Sequence, residues 1–157
     1  MPKSKEEQSL IIIKPDALQR GLVGEIFRRF ERKGLKIIGL KMVQLEDVAL
    51  DEHYAHHKEK PFFGTLKRFM KAAPVVLVAL SGINAIKAIR LIVGPTKGYE
   101  ADAGSIRGDY AMSGQANIVH ASDSTEAAEA EIKRFFKPAE LFNYQKAEFP
   151  WLYSEDE

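Results

Sequence analysis

Apolar and polar positions along the chain fall into segments of two distinct periods. Ser9 to Lys14 (SLIIIK) is a short, unbroken apolar run rich in β-branched residues, which predicts a buried strand. Val23, Ile26, Phe27 and Phe30 then recur at helical spacing, and Gly34 follows where a helix-terminating glycine belongs. Leu35 to Gln44 alternates loosely and predicts a second strand, while Leu45 to Lys71 holds helical pieces broken by Pro61 and Gly64. Val-rich Pro74 to Leu80 predicts the third strand. Asn84 to Val93 repeats isoleucine at 86, 89 and 92 with Ala85 and Ala88 between them, a helical pattern. Gly94 to Gln115 reads as a long loop with glycines at 94, 98, 104, 108 and 114, and loops of that length in a compact domain commonly carry function. Ile118 and Val119 form a fourth apolar stub. Asp123 then reads as the cap of a last helix, with Glu126 in capping-box register and Ala128, Ile132 and Phe135 on its buried side. The order β α β (αα) β α β α predicts an α+β sandwich. Its four-stranded antiparallel sheet carries helices on one face, as two split β-α-β units.

Composition bounds what this frame can do. The 157 residues, 45% hydrophobic and 29% charged, suit one globular domain spanning 1–157, with residues 146–157 as a C-terminal tail. A formal net charge of +1 supplies no large field for nucleic acid or a membrane, so anion binding must rest on local lysines and arginines. With no cysteine, disulfides, thiolate metal sites and thiol nucleophiles are excluded. Met1 to Gln8 is polar with no signal-peptide core behind it, and the longest clean apolar run, Val75 to Leu80, is too short for a bilayer. The expected compartment is the cytoplasm.

Three clusters carry possible chemistry. In Lys14-Pro15-Asp16 a lysine ends a buried strand that Pro15 stops, which holds the ammonium at the sheet's end. Arg90 and Arg107, with Thr96 and Lys97 between them, offer two planar guanidiniums and a hydroxyl, a set suited to phosphate oxygens. Gly108 beside Arg107 lets backbone approach a ligand closely. His120 follows a buried stub and precedes a capped helix, so it is placed to face a cleft. Imidazole accepts a phosphoryl group near neutral pH through its unprotonated nitrogen, provided a carboxylate fixes the other one; Glu131 and Glu129 lie at the right distance along the helix. Each cluster has an ordinary alternative: a solvated lysine, arginines paired with carboxylates such as Asp109, a structural histidine. His53, His56 and His57 crowd one segment, which a solvated helix face explains better than a metal site. No G-x-x-x-x-G-K-[ST] is present, so a P-loop kinase is excluded.

Together these residues resemble the nucleoside diphosphate kinase family. The matching blocks are Ile13-Lys14-Pro15-Asp16 with Gln19-Arg20-Gly21-Leu22-Val23-Gly24, then His53-Tyr54, Pro61-Phe62-Phe63, and Asn117-Ile118-Val119-His120-Ala121-Ser122-Asp123-Ser124. They run in register from about residue 9 to 153. The resemblance implies a ferredoxin-like fold and ping-pong transfer of the terminal phosphoryl of a nucleoside triphosphate to a diphosphate through a phosphohistidine. It implies that His120 is the nucleophile and Glu131 its orienting group, with Ser122 bonded to the glutamate. Lys14 and Tyr54 would serve the transferring phosphoryl; Arg90, Thr96 and Arg107 the phosphates; Asn117 the sugar hydroxyls. Phe62 would stack on the base with Leu66 beside it, leaving the base edge unread and base tolerance broad. Mg²⁺ would arrive bridging the phosphates, with no direct protein ligand, Asp123 reaching it through water.

The family also implies a homo-oligomer, a hexamer or a tetramer. Three positions depart from its pattern: Lys97-Gly98 replaces a common Asn-Pro in a subunit-contact loop, Gly114 replaces an apolar wall of the base slot, and Ala116 replaces an arginine. The apolar segment Phe149 to Tyr153 would pack on a neighbouring subunit or on its own core. Two other classes share these motifs, a catalytically silent nucleotide-binding module and a scaffold on the same fold.

Overall fold

The computed structural model describes residues 5–157; the first four residues of the polar N-terminal stretch lie outside it. Four strands, β1 (Glu7–Ile13), β2 (Lys36–Val43), β3 (Val75–Gly82) and β4 (Val119–Ala121), form one sheet in the order β2-β3-β1-β4. Every neighbouring pair is antiparallel. The helices are α1 (Pro15–Gln19), α2 (Val23–Lys33), α3 (Asp47–His53), α4 (Phe63–Lys71), α5 (Ala85–Val93), α6 (Ile106–Tyr110), α7 (Thr125–Phe135) and α8 (Phe149–Leu152). Among the described residues, no helix is long and apolar enough to cross a membrane.

Helices cover both faces of the sheet, not one as the sequence pattern suggested. Ile11, Ile13, Val76, Val78 and Leu80 pack on Ile26 and Phe30 of α2 and Ala85 and Ile89 of α5. Leu10, Ile12, Val75, Leu77 and Ala79 pack on Leu50 of α3, Leu66 and Met70 of α4, and Ile132 and Phe135 of α7. The unbroken apolar runs of β1 and β3 are the cause, because a strand buried on both sides has no polar face to alternate with. β1 sits in the middle of the two layers, so its end at Lys14 opens where both layers meet β4.

Three local readings also change. Gly64 lies inside α4 rather than breaking it. The cap of α7 is Ser124, one residue later than read, its hydroxyl accepting from the Ala127 N–H at 3.0 Å. The glycine-rich stretch is not all loop, since it folds into a short 3-10 turn at Gly98–Glu100 and α6. Gly34 does end α2, at φ +100°, where a side chain would be strained and would strike Leu152. The tail therefore folds back on its own core through Leu152, and the Tyr153 hydroxyl accepts from the Ile83 N–H at 3.1 Å. Trp151, just before them, points outward, 89% exposed.

Candidate active site

A cleft of about 800 Å³ opens between α3 and α4 on one side and the Gly94–Gln115 segment on the other, with β4 and α7 as its floor. His120 reaches it because β4 pairs with β1 in the register Ile12↔His120, which turns the imidazole toward α7 while Val119 and Ala121 face the opposite layer. On α7 the buried side carries Ala128, Glu131, Ile132 and Phe135, so the sheet contact that anchors the helix also delivers Glu131. Its carboxylate accepts from Nε2 of His120 at 2.8 Å and 3.1 Å. Ser122 donates to the same carboxylate at 2.8 Å, and its Oγ accepts from the Leu10 N–H at 3.0 Å. A backbone amide of the central strand thus fixes the serine, the serine fixes the glutamate and the glutamate fixes the histidine. Glu129, the other carboxylate within reach by sequence, pairs outward with Lys133. An ionised carboxylate only accepts, so the Nε2 of His120 carries the proton and Nδ1 keeps its lone pair.

The backbone before His120 is strained. Ile118, fully buried and β-branched, sits at φ +76° in a γ-turn closed by the Val119 N–H on the Asn117 carbonyl at 2.8 Å. Such a conformation costs on the order of 1–3 kcal/mol and persists only where the surroundings fix it. Here Asp16 accepts the Ile118 N–H at 3.0 Å and the Lys14 N–H binds the Ile118 carbonyl at 2.9 Å. The Lys-Pro-Asp block therefore holds the turn that precedes the histidine.

Lys14, Arg90 and Arg107 converge on this one cleft. Lys14 is buried, and its Nζ donates to Oδ1 of Asn117 at 2.6 Å. Burial, and then the charge of Arg107, lower its pKa to about 8. Arg107 is also buried, and it donates to the carbonyls of Gly94, Asn117 and Val119 at 3.0, 3.2 and 2.5 Å. Burial and the neighbouring Arg90 pull its pKa down to about 10. Asp109, the carboxylate nearest in sequence, pairs with Arg29 at 2.6 Å and leaves Arg107 alone. Arg90 spends one contact on the Ala121 carbonyl at 3.3 Å and opens the rest of its guanidinium to the cleft. Three cations lining one cleft without a carboxylate partner among the described residues form a site for an anion. Asn117 spends both amide protons on the carbonyls of Thr96 and Gly114, at 2.8 and 3.1 Å, so it ties the glycine-rich segment to Lys14.

Tyr54, Phe62 and Leu66 line the apolar end of the cleft, with Thr96, Gly114 and Asp123 along its rim. Burial, then the Glu131 charge, push the Tyr54 phenol well above its usual pKa, so it stays protonated. A side chain at Gly114 would meet only Lys97 at 3.6 Å, so that wall of the slot is open.

Two residues escaped the sequence reading. His53 is buried rather than on a solvated face, and its ring stands edge-on to His120 with centroids 4.8 Å apart. Arg134 donates to its Nδ1 at 3.0 Å. Spacing was the available signal: Arg134 lies three residues after Glu131, on the same face of α7. His53, His120 and Glu131 each bring one ligand atom within 4.8 Å of the others, a donor set in reach of a transition metal. The Arg134 guanidinium on His53 puts positive charge where a dication would sit.

Comparison with known proteins agrees with this geometry. A family model described as Nucleoside diphosphate kinase matches residues 7–141. A curated relative from Parabacteroides distasonis, named Nucleoside diphosphate kinase, is 54% identical over 151 residues, covering 96% of this chain and 99% of its own. The crystal structure of a nucleoside diphosphate kinase family protein from Babesia bovis superposes with a TM-score of 0.90 at 43% identity, over 94% of this chain and 99% of that one. A halophilic nucleoside diphosphate kinase from Halobacterium salinarum, solved in complex with CDP, superposes with a TM-score of 0.92 at 38% identity, over 95% and 99%.

Proposed function

Since the chain belongs to the nucleoside diphosphate kinase family, and so is an enzyme that moves phosphoryl groups between nucleotides, we propose that His120 is the residue that carries the group and that Nδ1 is the atom. The observation behind this is the Glu131 carboxylate on Nε2 at 2.8 Å, which leaves one ring nitrogen with a lone pair in a cleft lined by three cations. In the first half-reaction Nδ1 attacks the terminal phosphorus of a nucleoside triphosphate. A P–N bond forms, the bond to the bridging oxygen breaks, and the diphosphate leaves with that oxygen. Phosphorylation leaves the imidazole with positive character, which the carboxylate on Nε2–H balances. A second diphosphate then attacks with a terminal oxygen and the P–N bond breaks.

Phosphoryl transfer depends on placement and charge more than on covalent machinery, and the remaining residues supply both. Lys14, Arg90 and Arg107 hold the phosphate oxygens, with Thr96 at their edge. Arg107 has five N–H donors and spends three on backbone, which leaves two for phosphate. Lys14 meets the sugar and the transferring group, held at that point by Asn117, whose Oδ1 retains a second lone pair for a sugar hydroxyl. Tyr54 supports the same corner as a neutral phenol. Phe62 and Leu66 take the base by its face, so several bases are accepted; Gly114 leaves the stack one-sided. The relative solved with CDP supports a nucleotide in this cleft.

Magnesium fits this donor set only as a guest of the nucleotide. Glu131 is committed to His120 and Ser122, so Asp123 on the rim is the carboxylate left to meet the ion through water. When bound, the ion neutralises charge on the phosphates. A homo-oligomer, a hexamer or a tetramer, working in the cytoplasm completes the reading.

The test is the position of the phosphorus. Phosphoenzyme made from ¹⁵N-histidine-labelled protein should show ³¹P coupling to Nδ1 of His120. Coupling to Nε2 instead would contradict the roles given to Glu131 and the cleft.

A further inference from the structure

The pair formed by Arg134 and His53 is not explained by the mechanism. Arg134 comes from the same face of α7 as Glu131 and donates to Nδ1 of His53 at 3.0 Å. That nitrogen lies 4.0 Å from Oε2 of Glu131, the oxygen that holds His120 at 2.8 Å. Two imidazoles therefore stand within reach of one carboxylate. Guanidinium has no acceptor and does not give up its proton, so the Nδ1 it binds must be unprotonated and the His53 proton must sit on Nε2. Glu52 lies on the solvent side, its Oε1 3.3 Å from Nε of Arg134 in an ion pair without a hydrogen bond.

We propose that Arg134 is a positioning residue for phosphoryl transfer: by occupying Nδ1 of His53 it keeps that imidazole from capturing Glu131 and so reserves the carboxylate for His120. The proposal rests on the roles already given to His120 and Glu131. The groups that face His53 are Arg134 and Glu131 from α7, His120 from β4, Lys14 from the end of β1 and His56 from the turn after α3. Burial first, then the positive neighbours, keep His53 neutral. Remove Arg134 and the balance changes. Nδ1 loses its fixed donor, a proton there is free to bind, and Glu131 is the carboxylate facing it. A protonated His53 would then form an ion pair that competes with His120 for the same oxygen. His120 would lose its orientation, although no atom that touches substrate has been altered.

A neutral His53 with its proton on Nδ1 already competes for Glu131, and a protonated one competes more strongly, so the predicted loss grows as pH falls. In Arg134→Leu, kcat/KM should fall progressively further below wild type as pH is lowered, because losing one positive neighbour makes the buried His53 easier to protonate. The double variant Arg134→Leu/His53→Phe keeps a ring in the same packing but has no nitrogen to protonate, and it should regain the wild-type profile. A role limited to packing would give a pH-independent loss that His53→Phe does not reverse. Independently of any variant's folding, ¹⁵N-histidine spectra of the wild type should show His53 neutral with its proton on Nε2 from about pH 5 to 8. A proton on Nδ1 in wild type, or an Arg134→Leu profile parallel to wild type, overturns the proposal. If wild-type protein forms no phosphohistidine at His120, the underlying reading fails first; if it does and Arg134→Leu still tracks wild type, only the role of Arg134 falls.

Discussion

Lys14 holds a positive charge where burial opposes one, and its pKa of about 8 lies well below that of a free lysine. The sign of the consequence is fixed by linkage. Between about 8 and 10.5 the unfolded chain binds a proton that the unliganded fold does not, so Lys14 makes stability rise with pH across that window. Nucleotide binding has the opposite preference, since a polyanion favours the protonated amine. kcat/KM should therefore show an alkaline limb near pH 8, and calorimetry above that pH should detect proton uptake on binding. Lys14→Met should abolish the limb along with most of the affinity. Glu131→Ala should lower kcat on the order of 10²-fold, the usual cost of a reacting group displaced by about 1 Å, with little change in KM. At this scale Lys14, Arg90, Arg107 and His120 could be singled out because each is a reactive type, Lys14 at the end of a strand and Arg107 beside a glycine. Spacing alone left Glu131 and Glu129 open, because both lie within two turns and only packing decides which faces the sheet; the family resemblance was what pointed to Glu131. His53 and Arg134 were hidden for a related reason: their partnership crosses from α3 to α7, and no local pattern records it.

Each element of the site does structural and chemical work with the same contacts. The face of α7 that packs on β1 carries Glu131, and its cap, Ser124, lies two residues from Ser122 in the hydrogen-bond relay. Ser124→Ala should cost about 1 kcal/mol in denaturant unfolding, the usual value of an N-cap, while the phosphohistidine still forms at saturating nucleotide. The glycine-rich segment depends on close approach. A Cβ on Gly98 would sit 2.2 Å from the Ala111 carbonyl oxygen, and Gly98 also donates its N–H to Ser113 at 3.3 Å. Gly98→Ala should displace the turn between Thr96 and Arg107 and raise KM for nucleotide severalfold, with the far-UV circular dichroism unchanged. Strands and long helices were readable from hydrophobic period. The short α1 and α6 were not, since five residues hold too few positions to display one. The second helical layer was missed because the apolar runs of β1 and β3 were read for their strands and not for their two buried faces.

Across the whole molecule, the sheet ends at β2, whose Leu40 and Met42 stand 55% and 63% exposed on an edge strand. Natural edges are seldom left apolar and unpaired. Together with the outward Trp151 they are the surfaces expected to meet a second copy, and Leu40→Lys/Met42→Lys should shift the assembly to smaller species in sedimentation while leaving each cleft intact. The order of elements and the antiparallel sheet follow from the sequence pattern, and the family resemblance was carried by blocks spaced over nearly the whole chain. Register and burial added what pattern lacks: that Ile12 stands opposite His120, and that the tail closes over Gly34. The central claim is that one residue serves two nucleotides in turn, and label transfer tests it most directly. Purified protein is mixed with γ-labelled ATP and magnesium, freed of nucleotide and chased with GDP. The account requires acid-labile, base-stable label on wild type, none on His120→Ala, and recovery of that label in GTP. Label absent from wild type that still binds nucleotide, or retained by His120→Ala, would contradict it.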